Sequence, residues 1–264
     1  MKINIVSGWS NPGGSTTAHI NLTNLFNKND LDCTFYGPHN YHLDKCKGKL
    51  FQEYSEDKST TTISHFIPPH FFKDNKKHIY SCHEKQLAPL SSIDVSQYDT
   101  LHFITEQQKE WHNVDHSSSV VIPNVYDELV SGQKTEESKE VAGVIGSIDN
   151  NKGTHISIQR ALQDGYKTVL LFGVPTDEVY ARHFVLSMPE IDKSVFIMGY
   201  EKDKQKMYDS IDAAYLSSKS EVDPLVRGEC HLTGTKFYGN EQTIYGQPPM
   251  SSSDILDKWL GVLE

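Results

Sequence analysis

Short apolar runs recur along the chain at KINIVS (2–7), DCTFY (32–36), TISHFI (62–67), KHIYSC (77–82), TLHFIT (100–105) and SVVI (119–122). The scheme repeats at VAGVIG (141–146), TVLLFG (168–173), VFIM (195–198) and AAYLS (213–217). Runs of this length, bounded by turn residues, predict strands buried on both faces. Between them lie longer stretches with apolar residues three or four apart, which predict helices at 16–27, 225–232 and 254–263, the last capped by the serines at 251–253. Strands alternating with helices predict an α/β fold with parallel sheets. The segment 131–140, SGQKTEESKE, has no apolar residue and reads as a linker. It divides the chain into a domain at 1–130 and a second at 141–264, and the polar stretch 41–62 reads as a long loop or short helix.

Composition narrows the function. A chain of 264 residues is long enough for two domains, each with its own core. A formal net charge of −10 argues against a nucleic-acid partner, because such binding rests on basic patches. No apolar stretch approaches the length of a spanning helix, and the N-terminus lacks the pattern of a signal peptide. The four cysteines, Cys33, Cys46, Cys82 and Cys230, have neither metal-binding nor disulfide spacing. The expected location is cytoplasmic, with the lysines at 73–77 leaving room for peripheral contact with a membrane.

The strongest chemical signal is the pair Glu221 and Glu229, eight positions apart in EVDPLVRGE, just after the strand at 213–217. If the segment from Leu225 is helical, Glu221 precedes the helix and Glu229 lies in its second turn. Both carboxylates can then face the C-terminal edge of a sheet, where open α/β folds bind ligands. The helix N-terminus between them favours a phosphate. Two carboxylates flanking an anion site suit a diphosphate with hydroxyls at both ends, which is the shape of a nucleotide sugar. Gly13 and Gly14, in the loop after the first strand, permit close backbone approach. The histidine pairs His112/His116 and His65/His70 have zinc-like spacing, but no HExxH or cysteine cluster accompanies them, so no metal is expected.

The Glu-x7-Glu segment resembles the donor-sugar motif of retaining glycosyltransferases with the GT-B fold, which pairs two Rossmann-like domains across a cleft. Other segments resemble the family in the same order: the Gly-Gly loop WSNPGGST, SVVIPN followed by Asp127, and EVAGVIGSIDNNKG (140–153). The pieces VLLFG, VFIMGY and MYDSIDAAYLSS follow. The resemblance implies transfer of a sugar from a UDP- or GDP-linked donor to a hydroxyl acceptor, a glycan or glycolipid, without a metal cofactor. It implies catalytic roles for Glu221, Lys152 and His83, with His83 facing the donor sugar. Donor binding is implied at Gly13, Gly14, Ser147, Gly199, Tyr200, Leu225 and Glu229, with Glu221 on sugar hydroxyls, Glu229 on the ribose, and Gly199 and Tyr200 beside the base. The chain departs from the pattern where Ser147 replaces an arginine and where Val222 and Pro224 replace glycines. Two other readings stay open: a nucleotide-sugar epimerase, which can share this two-domain architecture, and a non-catalytic sugar-nucleotide or glycan-binding protein, which the departures at Ser147 and Pro224 allow.

Overall fold

The computed structural model describes residues 1–8, 13–40, 43–72, 74–85, 90, 94–126, 129–130, 139–241, 243 and 248–264. The expected linker at 131–138, Asp127 and the loop residues 9–12 lie outside them. The chain divides into two compact units, Met1–Tyr126 with Pro249–Glu264, and Asp127–Pro248.

The first unit carries strands β1 (Lys2–Ser7), β2 (Asp32–Gly37), β3 (Gly48–Leu50), β4 (Thr60–His65), β5 (Lys77–Ser81), β6 (Thr100–Phe103) and β7 (Ser119–Val121). They form a parallel sheet in the order β3-β2-β1-β4-β5-β6-β7. Helix α1 (Gly14–Lys28) buries Ile20, Leu22, Leu25 and Phe26 on Ile3, Ile5 and Ile63 of the sheet. Helix α2 (Glu106–His112) follows β6, started by the Thr105 side chain, which accepts from the Gln108 N–H.

The second unit carries β8 (Val141–Ile145), α3 (Thr154–Gln163), β9 (Thr168–Phe172), β10 (Val195–Gly199), α4 (Lys204–Asp209), β11 (Ala213–Tyr215), α5 (Leu225–Thr233) and β12 (Lys236–Tyr238). Between β9 and β10 the turn Glu178–Tyr180 continues as a π-turn over Ala181–Val185. The five strands are parallel, in the order β10-β9-β8-β11-β12.

Helix α6 (Ser252–Leu263) closes the chain, its Ser251 cap accepting from the Asp254 N–H. It packs in the first unit, where Ile255, Trp259 and Leu263 join the core of α1 and the sheet, and the Trp259 ring meets Phe26 edge-on at 5.9 Å. That places residues 249–264 with the first unit and not with 141–248.

The order reverses between β1 and β4 in the first sheet and between β8 and β11 in the second. At such a switch point neighbouring strands send their connections in opposite directions and leave a crevice beyond their C-terminal ends. Ser7 and His65 pair at the first crevice. At the second, the loop from Gly146 to Gly153 leaves β8 and the loop from Leu216 to Pro224 leaves β11.

Candidate functional site

In the second unit the loop after β8 is held by one side chain. Asp149 accepts from the Lys152 N–H at 2.7 Å, from Ser147 Oγ at 2.6 Å and from Thr176 Oγ1 at 2.9 Å. Ser147, which stands where the resemblance expects an arginine, is therefore fastened to this loop. The loop turns into α3 at Gly153, whose φ of 59° is left-handed and whose Cβ position would lie 2.5 Å from the Ser217 carbonyl oxygen. The loop after β11 is laced to it: the Lys219 N–H donates to the Asn151 carbonyl at 2.8 Å, and Lys219 Nζ to Asn150 Oδ1 at 2.6 Å. Arg160 of α3 reaches Ser217 Oγ at 3.1 Å and the Gly239 carbonyl at 3.0 Å, fixing the same loop from behind.

These two loops bring Lys152 and Glu221 together. Lys152 Nζ donates to Glu221 Oε1, with side chains 28% and 12% exposed, so the pair is shielded well beyond a surface ion pair. Leu225 opens α5 behind Pro224, whose own side chain makes no cap bond; the Arg227 N–H donates to the Pro224 carbonyl at 2.9 Å, and the Asp223 carboxylate lies 3.7 Å from the Arg227 guanidinium. The positive end of a helix dipole favours an anion.

Glu229 is 3% exposed in the second turn of α5, with both carboxylate oxygens engaged by α4. Lys204 Nζ donates to Oε1 at 2.6 Å and the Tyr208 hydroxyl to Oε2 at 2.6 Å. Neither Lys204 nor Tyr208 is conspicuous in the sequence. The signal that could have found them is α4 itself, a helix of the unit that carries a cation and a hydroxyl four residues apart, one turn of an α-helix.

Glycine lines the neighbouring strand ends. Gly146 and Gly173 directly follow β8 and β9, and Gly199 ends β10, with φ of 138°, 155° and 72°. Their backbones are linked, the Gly146 N–H donating to the Phe172 carbonyl at 2.9 Å and the Gly173 N–H to the Gly199 carbonyl at 2.8 Å. A Cβ on Gly173 would sit 1.8 Å from the Gly146 oxygen. The result is a floor of bare backbone beside the Lys152 loop, and Tyr200, 47% exposed, follows it.

In the first unit Gly13 is extended (φ −171°) and Gly14 is the first residue of α1, and a Cβ on either would meet nothing within 4 Å. Neither position requires glycine for the conformation it adopts. His83 follows β5 and belongs to a histidine cluster absent from the sequence expectation. Ring centroids lie 4.5 Å apart for His19 and His83, 5.0 Å for His19 and His65, and 5.3 Å for His65 and His83. His65 Nε2 donates to Glu84 Oε1 at 2.8 Å, and its Nδ1 lies 3.0 Å from Ser7 Oγ. Burial, reinforced by the neighbouring imidazoles, holds His19 and His83 well below the ordinary imidazole range.

The rings of His112 and His116 are turned to different partners. His112 Nε2 lies 2.9 Å from the Glu84 carbonyl, whereas His116 Nε2 lies 2.9 Å from that of Tyr98. Among the described residues no group of three His, Cys, Asp or Glu is placed to hold a metal ion, and no helix is long and apolar enough to cross a membrane.

Two parallel α/β units with these strand orders are the GT-B architecture, the fold of a class of glycosyltransferases. No protein-family model and no curated protein matches the chain. Solved structures do. TarM matches with a TM-score of 0.69 at 11% identity, over 100% of this chain and 92% of that one. Anabaena HepE, in complex with UDP and glucose, matches with 0.67 at 13% identity, over 100% and 90%. WaaG, a glycosyltransferase involved in lipopolysaccharide biosynthesis, matches with 0.61 at 10% identity, over 99% and 90%. At these identities the likeness is one of fold.

Proposed function

We propose that this chain is a glycosyltransferase that moves a sugar from a nucleotide-sugar donor to a hydroxyl acceptor, a glycan or glycolipid, with retention at the anomeric carbon. The observation that carries the reading is the Lys152–Glu221 ion pair, held between the loops after β8 and β11 at the switch point of the second sheet. HepE has been solved with UDP and glucose, and TarM with UDP and α-GlcNAc-glycerol, which makes a uridine nucleotide the first donor to test.

The pair suits one exchange. A diphosphate arriving at Lys152 and the start of α5 takes the lysine from Glu221 and leaves that carboxylate, with two acceptor oxygens, to the hydroxyls of the donor sugar. Glu229, on the same helix, is assigned to the ribose diol. The backbone floor at Gly146, Gly173 and Gly199, with Tyr200 and Ser147 at its margins, is assigned to the nucleotide. In the reaction the bond from the anomeric carbon to the β-phosphate oxygen breaks and its electron pair leaves with the diphosphate. The acceptor oxygen bonds to the anomeric carbon from the same face, and its proton passes to the departing phosphate. Lys152 and the helix N–H groups stabilise the developing phosphate charge, the place where fixed dipoles contribute most. With these groups in the role of the cation, binding is expected to need no metal.

Calorimetry with UDP and GDP in the presence of EDTA tests the reading. Lys152→Ala should weaken nucleoside diphosphate about 10- to 100-fold, the cost of a lost charge-assisted hydrogen bond. Glu221→Ala should leave nucleotide affinity near that of the unaltered chain and reduce transfer from the full donor. Undiminished affinity in Lys152→Ala, or binding only with a divalent ion, would overturn it.

A further inference from the structure

His83 stands at the end of a hydrogen-bond chain whose direction is fixed. His102 Nε2 lies 2.8 Å from the Ile122 carbonyl oxygen, which can only accept, so Nε2 carries the proton. Burial pushes His102 down to about 4, so near neutral pH its ring is neutral and Nδ1 is a bare acceptor. Ser81 Oγ, 2.9 Å from that Nδ1, must donate to it. Having spent its proton there, Ser81 can only accept from His83 Nε2, 3.1 Å away. Ser81 and His102 are 1% and 3% exposed and sit side by side in the β5–β6 register, and the Trp259 ring of α6 covers His102 at 4.6 Å.

We propose that Ser81 and His102 are positioning residues that lock His83 as the Nε2–H tautomer, presenting Nδ1 as a fixed hydrogen-bond acceptor. Functionally this rests on the reading of His83 as the group that meets the donor sugar. The surroundings oppose the charged alternative. His19, His65 and His102 each disfavour a proton on His83, while the carboxylate of Glu84 is committed to the His65 ring and to the His83 N–H at 3.1 Å. A bare Nδ1 accepts from a hydroxyl or amide N–H and repels a carboxylate. The donor class that fits is a neutral hexose or N-acetylhexosamine nucleotide in preference to a uronic acid nucleotide.

The test begins with the folded chain carrying 15N-labelled histidine, its His83 signals assigned by loss in His83→Gln. Two-bond correlations between the ring nitrogens and the carbon-bound ring protons at pH 7.5 should show a pyrrole-like Nε2 and a pyridine-like Nδ1. A protonated Nδ1, or rapid averaging of both tautomers, overturns the proposal whether or not the chain transfers sugar. Ser81→Ala should release the lock and give averaged signals, and Ser81→Thr, which keeps the hydroxyl, should restore it. With a neutral hexose nucleotide, Ser81→Ala should lower kcat about 10- to 100-fold with KM for the donor little changed, the usual size of an effect exerted through an outer partner. Ser81→Thr should recover most of that rate, and thermal unfolding checks that both variants fold. An unchanged kcat in Ser81→Ala beside an inactive His83→Ala refutes the positioning role, and a preference for the uronic acid donor refutes the acceptor polarity. If no donor supports transfer, the proposed function falls while the tautomer measurement still decides the lock.

Discussion

Single residues divide the candidate site into a carboxylate that can change partners and one that is built in. Glu221 pairs with Lys152 and lies partly open, whereas Glu229 is enclosed, with a cation on one oxygen and a hydroxyl on the other. Breaking a buried pair by removing one partner leaves an uncompensated charge and costs about 3–5 kcal/mol. Glu229→Ala should therefore lower unfolding stability by about 3 kcal/mol in urea titration. The double change of Lys204 and Glu229 to methionine should recover most of that loss, since apolar replacement of a whole buried pair is often neutral. A Glu229→Ala chain as stable as the parent would show that the Lys204 contact carries no weight. The pattern EVDPLVRGE made both glutamates visible because helical spacing depends on sequence alone. Their partners were invisible, because which lysine reaches a carboxylate is decided by how α4 and α5 pack. The same holds for Ser147, whose anchoring to Asp149 replaces the cation expected there.

Elements follow the hydrophobic pattern closely where strands are apolar and less closely elsewhere. Among the described residues ten of the twelve strands arise from runs that are evident in the sequence, since a strand buried on both faces needs continuous apolar residues; β10 is the departure, an edge strand that exposes Phe196, Ile197 and Met198. The two that escape, β3 (GKL) and β12 (KFY), are three-residue edge strands with a lysine each, too short to show alternation. β4 begins at Thr60, inside a stretch that reads as polar loop, because three consecutive threonines are buried in the sheet. Their branched Cβ favours extended backbone even where the hydroxyl finds little reward. Glycine separates the strand ends that matter from those that do not. Gly173→Ala would drive a Cβ into the Gly146 oxygen at a φ of 155°, so it should destabilise the second unit by more than about 2 kcal/mol. Gly13→Ala, with open space and an extended backbone, should change stability by less than about 0.5 kcal/mol. Thermal melts of the two variants give the comparison, and equal losses would mean that the backbone floor at β8, β9 and β10 is not as close as described.

Across the molecule the two units differ in what acid does to them. In the first, burial pushes His78 and His102 down to about 4, with Asp99 only partly opposing the shift at His78, and burial with neighbouring imidazoles holds His19 and His83 well below the ordinary imidazole range. In the second, His155 is held below its ordinary value, again mainly by burial and then by Lys219. A histidine whose folded value lies below its unfolded value of about 6.5 binds protons more tightly when unfolded. Its contribution to stability is complete above pH 6.5 and is lost as pH falls from there toward the folded value, at up to about 1.4 kcal/mol per pH unit for each such group. The first unit should therefore lose stability steeply between pH 6.5 and about 4, and the second much less. The chain carries its own reporters: all three tryptophans, at 9, 111 and 259, fall within the first unit, while far-ultraviolet circular dichroism sees helices and strands of both. Melts at pH 7.5, 6.0 and 5.0 should show the tryptophan transition moving to lower temperature ahead of the dichroism transition, so that coincident curves at neutral pH separate in acid. If the two probes stay coincident down to pH 5, the buried histidines either remain neutral in the unfolded chain or are already hydrated in the folded one, and the first unit is not the acid-sensitive half.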